Sequence, residues 1–396
     1  MKSRGYKFRL YPDKVQESSL RQQCGSCRFL WNYYLADNQS MYDLDRKFKF
    51  YNSMATELPL LKEMFPFLKD VFSQSLQQTL RHLERAIKDG YKKDKGFPNF
   101  KRKTDFSDSF TVPQKFRIMK NHIFIPKVGE IKFKKHRNIC GKVKNVTVSQ
   151  DGSHWYVSIC TETRDRSKPR VLNTSNVVGI DLGIKSFAVI SDGVSHPKID
   201  NPKILRKHEL KLKKLQRWLS RKKDGSNNKL KNKIKIQNLH RKIRNKRDDF
   251  LHKETHSMIA KYDGFICEDL NVKGMVKNHK LAKSISDCGW GKFTTFLKYK
   301  ADWNGKLYYE IGRFMASTKT CSHCHTVNHN LTLSDRTWTC VSCNTFHDRD
   351  DTASDNVKEF GLKDLGLPID NREFTLQEIL ASGVSLNEEK VVLNYA

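Results

Sequence analysis

Two pairs of closely spaced cysteines near the C-terminal end constrain this chain more than any other feature. Cys321 and Cys324 are followed, after a fifteen-residue gap, by Cys340 and Cys343. Two C-x2-C pairs supply the four thiolates of a tetrahedral structural Zn²⁺ site. The alternative, four small buried hydrophobes, is disfavoured because such paired spacing seldom arises by chance. We therefore predict a zinc ribbon over residues 317–344.

The residue after the second cysteine of each pair tests this prediction. A ribbon usually has glycine there, where the backbone turns to positive φ. His325 and Asn344 hold these places, and both tolerate that region better than most residues. His323, His325 and His347 are nearby alternative ligands, but the cysteine spacing favours a site of four thiolates.

Positive charge is the second constraint. The 396 residues carry a formal net charge of +31, and residues 203–253 hold twenty Lys and Arg against four acids. Apolar residues recur there at near-helical spacing on both sides of a turn at Asp224-Gly225, which predicts a helical hairpin with a cationic face. A solvated coiled-coil surface would balance Lys with Glu, so a nucleic-acid backbone is the favoured partner. The candidate contacts on this basic helical hairpin are Lys211, Lys214, Arg217, Arg221, Arg241 and Arg244.

The remaining composition indicates a soluble intracellular protein. No apolar stretch approaches the ~20 residues of a membrane span, and the N-terminus leads into an alternating strand rather than a signal sequence. We therefore expect no membrane partner. Cys24-Gly25-Ser26-Cys27 matches a redox C-x-x-C, but no strand precedes it, so a helical face and reduced thiols are predicted.

The N-terminal half reads as a sheet interrupted by helices. Tyr6, Phe8 and Leu10 alternate with basic residues as in a half-buried strand, and Pro12-Asp13 opens a helical region. Short strand patterns return later, including a hairpin across an Asp-Gly turn. We predict a small β-barrel over 1–12 and 104–166 and a helical insertion over 13–103. A linker is predicted at 167–170.

Three acids lie where catalytic carboxylates would be expected. Asp181 lies inside a continuous apolar run that begins at Val177, and Glu268 ends a second short apolar run that begins at Phe265. Asp350 stands at the mouth of a predicted helix. A buried carboxylate requires a partner or a metal. A strand Asp, a strand Glu and a helix-start Asp predict an RNase H-like site, in which hard oxygen ligands hold two Mg²⁺ ions ~3.5–4 Å apart.

Four segments resemble the signatures of the TnpB family, proteins of insertion sequences that are similar to miniature type V CRISPR effectors. The segments are Gly179-Ile180-Asp181-Leu182-Gly183, Glu268-Asp269-Leu270, Ser317-Thr318-Lys319-Thr320-Cys321-Ser322-His323-Cys324 and His347-Asp348-Arg349-Asp350. The N-terminal strand, helical insertion and barrel match the family's wedge and recognition layout in pattern only.

The resemblance implies an RNA-guided DNA endonuclease. The triad would be Asp181, Glu268 and Asp350, because the family's third carboxylate is the second aspartate of its His-Asp-Arg-Asp motif. Asp348 and Asp351 are thereby set aside. Family members usually continue with x-Asn-Ala-Ala, whereas Thr352 stands in the place of that asparagine here. The implied partners are a guide RNA from the protein's own locus and double-stranded target DNA, in the cytoplasm of a prokaryote. The positive charge predicts a monomer wrapped around RNA, while the sequence leaves the oligomeric state open.

The resulting fold class is α+β multidomain: a wedge-like β-barrel with an inserted helical bundle, then a RuvC-like RNase H fold with an inserted four-cysteine zinc ribbon. The nuclease domain is predicted over 173–316 and 345–360, and residues 361–396 form an acidic tail of three basic and six acidic residues. Two other functions stay open. One is a guided DNA-binding regulator without cleavage, and the other is a DNA-strand transferase. A plain RNA-binding module would not need Asp181 inside a strand.

Overall fold

The computed structural model describes residues 2–90, 96–103, 108–163, 171–313, 315–332, 334–367 and 373–375. The predicted linker at 167–170 and most of the predicted tail lie outside these residues. The chain divides into two compact units. The first comprises Met1–Asp165 and Trp218–Arg241, and the second comprises Arg166–Arg217 and Lys242–Ala396. Every helix in the described ranges is too short or too polar to cross a membrane.

Helices α1 (Lys14–Asp45), α2 (Tyr51–Met64) and α3 (Ser73–Gly90) follow the first strand. Asp13 caps α1, because its side chain accepts a hydrogen bond from the Gln16 amide while the Gln16 side chain accepts one from the Asp13 amide. This capping box confirms the predicted start of the helical region. The C-x-x-C cysteines lie on α1 as predicted, buried within the core. The apolar stripe of α3 is fully buried and consists of Leu76, Leu80, Leu83 and Ile87.

A seven-stranded antiparallel sheet forms the rest of the first unit's core. Its strands are β1 (Lys2–Tyr11), β2 (Ser109–Val112), β3 (Arg117–Ile118), β4 (His122–Ile125), β5 (Gly129–Phe133), β6 (Lys142–Asp151) and β7 (His154–Thr163). They are hydrogen-bonded in the order β2-β6-β7-β1-β5-β4-β3. The first strand joins the later strands as predicted, but β2 and β3 remain the edges of this order, so closure into a barrel stays a prediction.

The second unit is built on a five-stranded sheet in the order β11-β10-β9-β12-β13. These strands are β9 (Val177–Leu182), β10 (Ser186–Ser191), β11 (Lys198–Asp200), β12 (Gly264–Glu268) and β13 (Leu307–Ile311), and the shorter strands are β8 (Val171–Asn173), β14 (Thr337–Thr339), β15 (Phe346–Asp348) and β16 (Glu373–Thr375). Strands β9, β10 and β11 are antiparallel, whereas β12 runs parallel to both β9 and β13. The result is a mixed α/β architecture.

Six helices follow β11 along the described chain: α4 (Ile204–Ser220), α5 (Asn227–Lys261), α6 (Val272–Met275), α7 (Ala282–Cys288), α8 (Trp290–Asn304) and α9 (Arg349–Asp364). Helices α4 and α5 lie on either side of the predicted turn at Asp224-Gly225, and their packing into a hairpin stays a prediction. Four apolar residues of the two helices are buried, namely Leu215, Ile236, Leu239 and Ile243. The division between the units falls within these two helices, and the finer predicted domain boundaries stay predictions.

The two faces of the five-stranded sheet pack against different helices. Side chains alternate along a strand, so Ile180 and Cys267 point to one face, where Phe293 of α8 joins their hydrophobic cluster. Val177 and Ile266 point to the other face, where the cluster includes Val357 and Leu362 of α9. The alternation places Asp181 and Glu268 on the α9 face.

Two glycines allow α9 to approach that face closely. A Cβ at Gly179 in β9 would overlap the carbonyl oxygen of Ser354 and lie 2.6 Å from the amide nitrogen of Lys358. A Cβ at Gly361 in α9 would overlap the side chain of Ile266 in β12. The helix backbone therefore rests almost directly on the strands, which fixes where its N-terminus lies.

Replacing Gly179 by alanine should push α9 away from the sheet. We expect Gly179→Ala to lower the free energy of unfolding by about 1–3 kcal/mol, the usual cost of overpacking a core. Thermal or urea unfolding would measure it. Gly291→Ala is the matched control, because a Cβ there meets no atom within 4 Å. Equal stability of the two variants would contradict the close packing of α9.

Candidate active site and zinc ribbon

The first two predicted carboxylates lie side by side on neighbouring strands. Asp181 is the fifth residue of β9, and Glu268 is the last residue of β12. The parallel register pairs Ile180 with Cys267, so the next step along the strands brings Glu268 level with Asp181. Both side chains project from the face covered by α9.

The third predicted carboxylate, Asp350, is the second residue of α9. Asp348 is the N-cap of this helix, and its Oδ1 accepts hydrogen bonds from the amides of Asp350 (3.0 Å) and Asp351 (3.2 Å). The cap fixes the first turn of a helix whose body already rests on the sheet. The Asp348 cap and the packing of α9 against the sheet therefore both fix the position of Asp350.

Electrostatics show that the three acids share one environment. The pKa of Asp181 is raised to about 7, mainly by burial and also by the negative charges of Glu268 and Asp350, while Arg349 opposes the shift. Burial also raises the pKa of Glu268, although a hydrogen bond donated by the Ser317 hydroxyl opposes this. A divalent cation would relieve both the repulsion and the missing solvation.

The neighbouring aspartates of the motif have different partners. Asp351 forms an ion pair with Lys198 on β11, with 2.7 Å between Oδ1 and Nζ. Asp350 Oδ1 instead lies 3.3 Å from Nη1 of Arg336 and 3.5 Å from Nη2 of Arg349. Asp348 is engaged in capping. Of these three acids, Asp350 is the one whose charge raises the Asp181 pKa.

The four cysteines of the ribbon converge as the spacing predicted. Their four sulfur atoms all lie within 4.8 Å of one another. Among the described residues, these cysteines are the group of His, Cys, Asp or Glu side chains whose ligand atoms lie this close together. Sγ of Cys321 lies 3.6 Å from that of Cys343, and Sγ of Cys324 lies 3.5 Å from that of Cys340. The donor set suits a four-coordinate Zn²⁺. The carboxylate oxygens of Asp181, Glu268 and Asp350 do not all lie within 4.8 Å of one another.

The two cysteine knuckles share one backbone geometry. His325 and Asn344 have φ values of 60° and 55°, which confirms the positive φ predicted for these places. Their amides donate to the carbonyls of Cys321 and Cys340, at 3.0 Å and 2.9 Å. A hydrogen bond with Thr326 lowers the pKa of the Cys324 thiol to about 6, which favours the thiolate that zinc requires.

Several residues with no predicted role beside the acids connect the ribbon to them. His347 contacts Cys321 and Thr352, Asn356 holds the backbone that precedes the first knuckle, and Ser317 bonds Glu268. Ser317 and His347 lie inside segments that resemble family signatures. The sequence therefore indicated that their positions matter but did not indicate these contacts. Asn356 carried no such signal.

The six predicted nucleic-acid contacts lie on or beside the hairpin helices. Five of them are exposed, namely Lys211, Lys214, Arg217, Arg221 and Arg244. Arg241 is half-buried, and its Nη1 donates a hydrogen bond to the carbonyl oxygen of Asp151, at 2.9 Å. Part of the Arg241 guanidinium therefore holds the turn between β6 and β7.

A mixed α/β unit with a buried acid cluster and a four-cysteine knuckle pair is matched by known families. The family model described as "Probable transposase" matches residues 158–279, "Cas12f1-like, TNB domain" matches residues 290–357, and "Helix-turn-helix domain" matches residues 1–47. The last description differs from the structure of that segment here, which is strand β1 followed by the single long helix α1.

Curated relatives cover most of the chain. "Putative RNA-guided DNA endonuclease InsQ" of Escherichia coli (strain K12) is 36% identical over 345 residues, which is 82% of this chain and 84% of the relative. "Putative RNA-guided DNA endonuclease" of Streptomyces pristinaespiralis is 34% identical over 367 residues, 91% of this chain and 89% of the relative. "TnpB-like protein L79" of Acanthamoeba polyphaga mimivirus is 26% identical over 231 residues, 56% of this chain and 44% of the relative. The chain belongs to the TnpB family.

Among solved structures, the chain is similar to one described as "Cryo-EM structure of the Cas12f1-sgRNA-target DNA complex". The alignment has a TM-score of 0.36 and 15% identity, and it covers 90% of this chain and 99% of the other. A TM-score of this size does not by itself establish a shared fold.

Loss of one cysteine should empty the ribbon. We expect Cys340→Ser to lower bound zinc well below the roughly one ion per chain of a four-thiolate site, and to lower the melting temperature, because structural zinc contributes folding free energy. Elemental analysis of the purified protein would measure the zinc content. Cys140→Ser is the control, since Cys140 is an exposed cysteine outside the ribbon. Unchanged zinc in Cys340→Ser would mean other ligands.

The raised pKa of Asp181 predicts a pH dependence of stability. Between its ordinary value of 3.8 and about 7, the folded protein keeps a proton that the unfolded chain has released. Folding stability without Mg²⁺ therefore falls as pH rises through this window, and Asp181→Asn removes that loss. We expect the gain in melting temperature of Asp181→Asn over wild type to be larger at pH 8 than at pH 5. An equal gain at both pH values would refute the shift.

Proposed function

We propose that this protein is an RNA-guided DNA endonuclease that hydrolyses DNA with a RuvC-type, RNase H-like site. The observation that carries the proposal is the meeting of Asp181, Glu268 and Asp350. Two sheet strands and one helix carry these acids, and burial together with the negative charges of Glu268 and Asp350 raises the pKa of Asp181 to about 7. Two curated relatives at 36% and 34% identity carry the name RNA-guided DNA endonuclease.

The three carboxylates would hold two Mg²⁺ ions, since hard oxygen ligands are those that Mg²⁺ prefers. When bound, the ions activate a water for attack on the phosphorus and neutralise charge on the leaving oxygen. Ser317 orients Glu268 through its hydroxyl. Arg336 and Arg349 lie beside Asp350 and place positive charge where a DNA phosphate would approach. In-line attack of this kind leaves a 5′ phosphate.

The contacts of the motif support Asp350 as the third ligand. Asp348 uses Oδ1 to cap α9, and Asp351 is paired with Lys198. Asp350 also has charged partners, but Arg336 and Arg349 lie 3.3 Å and 3.5 Å from its Oδ1, whereas Lys198 lies 2.7 Å from Oδ1 of Asp351, so Asp350 is the less tightly paired of the two. The negative charge of Asp350 also contributes to the raised pKa of Asp181, which supports including Asp350 in the same site.

The basic helical hairpin would bind the guide RNA through its phosphates. Its surplus of Lys and Arg releases counterions on binding, which gives affinity without sequence preference. Base pairing with the guide would then select the target, while the helices and sheet of the first unit would read a short flanking motif on the duplex DNA. The monomer wrapped around RNA that the charge predicts belongs to this proposal.

Cleavage assays on charge-neutral variants test the triad. Wild-type protein, co-expressed with RNA spanning the 3′ end of its own gene, should cut a matching target beside one flanking motif when Mg²⁺ is present. We expect Asp350→Asn to lose at least ~100-fold in cleavage rate, because a catalytic metal ligand is removed, whereas Asp351→Asn keeps most activity. Binding of RNA should be unchanged in both.

The products separate the other candidate functions. Broken ends at a fixed distance from one enriched motif support hydrolysis, and joined DNA products would support the strand transferase. Motif-selective binding without cleavage by wild type would support a regulator. Loss of cleavage in Asp351→Asn but not in Asp350→Asn would move the third ligand to Asp351.

A further inference from the structure

A buried histidine connects the zinc ribbon to the helix that carries Asp350. His347 lies on β15 and is 5% exposed. Its Nε2 lies 3.1 Å from Sγ of Cys321, and its Nδ1 lies 3.1 Å from Oγ1 of Thr352 on α9. The ring packs against Trp338, with 4.5 Å between ring centroids. One side chain thus contacts a zinc ligand and the catalytic helix at once.

The chemistry of the two contacts assigns the protons. A zinc-bound thiolate can only accept a hydrogen bond, so Nε2 carries the hydrogen and donates it to Cys321. Nδ1 is then the acceptor, and the Thr352 hydroxyl donates to it. Thr352 is 3% exposed, so neither partner has water as a substitute. The hydrogen bonds are therefore donated in one direction, from Thr352 to His347 and from His347 to the Cys321 thiolate. We call this chain of three groups the relay.

A second connection joins the same elements from the other side. Nδ2 of Asn356, one turn along α9, donates to the carbonyl oxygens of Ser317 and Thr320, both at 2.7 Å. Asn356 is fully buried. Thr320 directly precedes Cys321, and Ser317 bonds Glu268. The ribbon's base is therefore hydrogen-bonded to α9 and to the active site together.

We propose that His347 and Thr352 are positioning residues that couple the zinc-bound thiolate of Cys321 to the placement of Asp350. This inference rests on the proposed function, because it assigns the pair to the same site. Asp350 lies in the first turn of α9, where intrahelical hydrogen bonds are incomplete and the Asp348 cap is the main local restraint. Thr352, two residues on, adds a restraint that comes from the ribbon.

The coupling has a consequence for metal binding at the carboxylates. With zinc in place, the thiolate fixes His347, His347 fixes Thr352, and the first turn holds Asp350 opposite Asp181. Loss of zinc leaves a mobile sulfur at one end of the relay, so Asp350 is held less firmly. The affinity of the triad for a divalent cation then falls. Outer hydrogen-bond partners of metal sites typically change affinity or activity by about 10–100-fold.

Thr352 variants of the full chain test the relay at its α9 end. Thr352→Val keeps the shape and removes the donated hydrogen bond, and Thr352→Ser keeps the hydroxyl. Thr255→Val is the matched control, because Thr255 is also a fully buried helical threonine whose hydroxyl donates to a carbonyl, that of Leu251. Three quantities are measured: Mn²⁺ binding by the loss of its free electron paramagnetic resonance signal, zinc release to a chromogenic chelator, and cleavage rate.

We expect Thr352→Val to bind Mn²⁺ about tenfold more weakly and to release zinc faster, with Thr352→Ser restoring both, while Thr255→Val changes neither. His347→Phe keeps the ring beside Trp338 and breaks both hydrogen bonds, so it should release zinc at least about tenfold faster and weaken Mn²⁺ binding. Wild-type affinity for Mn²⁺ and zinc in Thr352→Val would overturn the coupling. Zinc loss in His347→Phe without any change in Mn²⁺ binding would overturn it as well.

The metal-binding readouts separate this inference from the proposed function. If wild type does not cleave guided DNA, the proposed function fails, but Mn²⁺ binding and zinc release still report on the relay. If wild type cleaves and Thr352→Val cleaves equally well with equal Mn²⁺ affinity, the coupling alone fails.

Discussion

The close contact between helix α9 and strand β9 is the constraint on which the second unit of the molecule depends. Gly179 and Gly361 let backbone meet strand where any side chain would force a gap. The same helix face buries Val357 and Leu362 against the sheet. Because the helix body cannot slide, its first turn lies at a fixed point above the ends of the strands. The placement of an acid there follows from packing far from that acid.

That placement costs free energy that the protein alone does not recover. Burial and like charge raise the pKa of Asp181, which means that the ionised form is destabilised in the folded state. Ser317 stabilises Glu268, and Arg349 partly offsets the charge at Asp181. These contacts hold the acids in place without neutralising them. The raised pKa of Asp181 supports the proposed cation site at these acids.

Sequence patterns predicted those parts of the site that are formed by residues close together in the sequence. The cysteine spacing predicted the ribbon, and the need for positive φ at His325 and Asn344 followed from the same two knuckles. An aspartate interrupting an apolar strand was informative because burial makes it costly. The two basic helices α4 and α5 followed from a helical apolar period on both sides of a turn. Each of these signals depends on a segment of a few dozen residues at most.

The parts that could not be predicted depend on contacts between distant segments. The sequence does not show that Asn356 reaches the carbonyls of Ser317 and Thr320, since that contact requires the final path of both segments. Sheet closure into a barrel is a similar case, because it depends on whether two edge strands separated by five others in the hydrogen-bonded order meet. Sequence periodicity shows which face of a strand is buried, but it does not show whether the edge strands β2 and β3 pair with each other.

Thr352 shows how a departure from a family motif acquires a physical meaning once its neighbour is known. In the sequence, it only stands in the place of an asparagine of the family motif. In three dimensions its hydroxyl faces Nδ1 of His347, an acceptor that requires one donor. An asparagine amide and a threonine hydroxyl can both supply that donor. Thr352 therefore supplies the hydrogen-bond donor that the buried histidine needs.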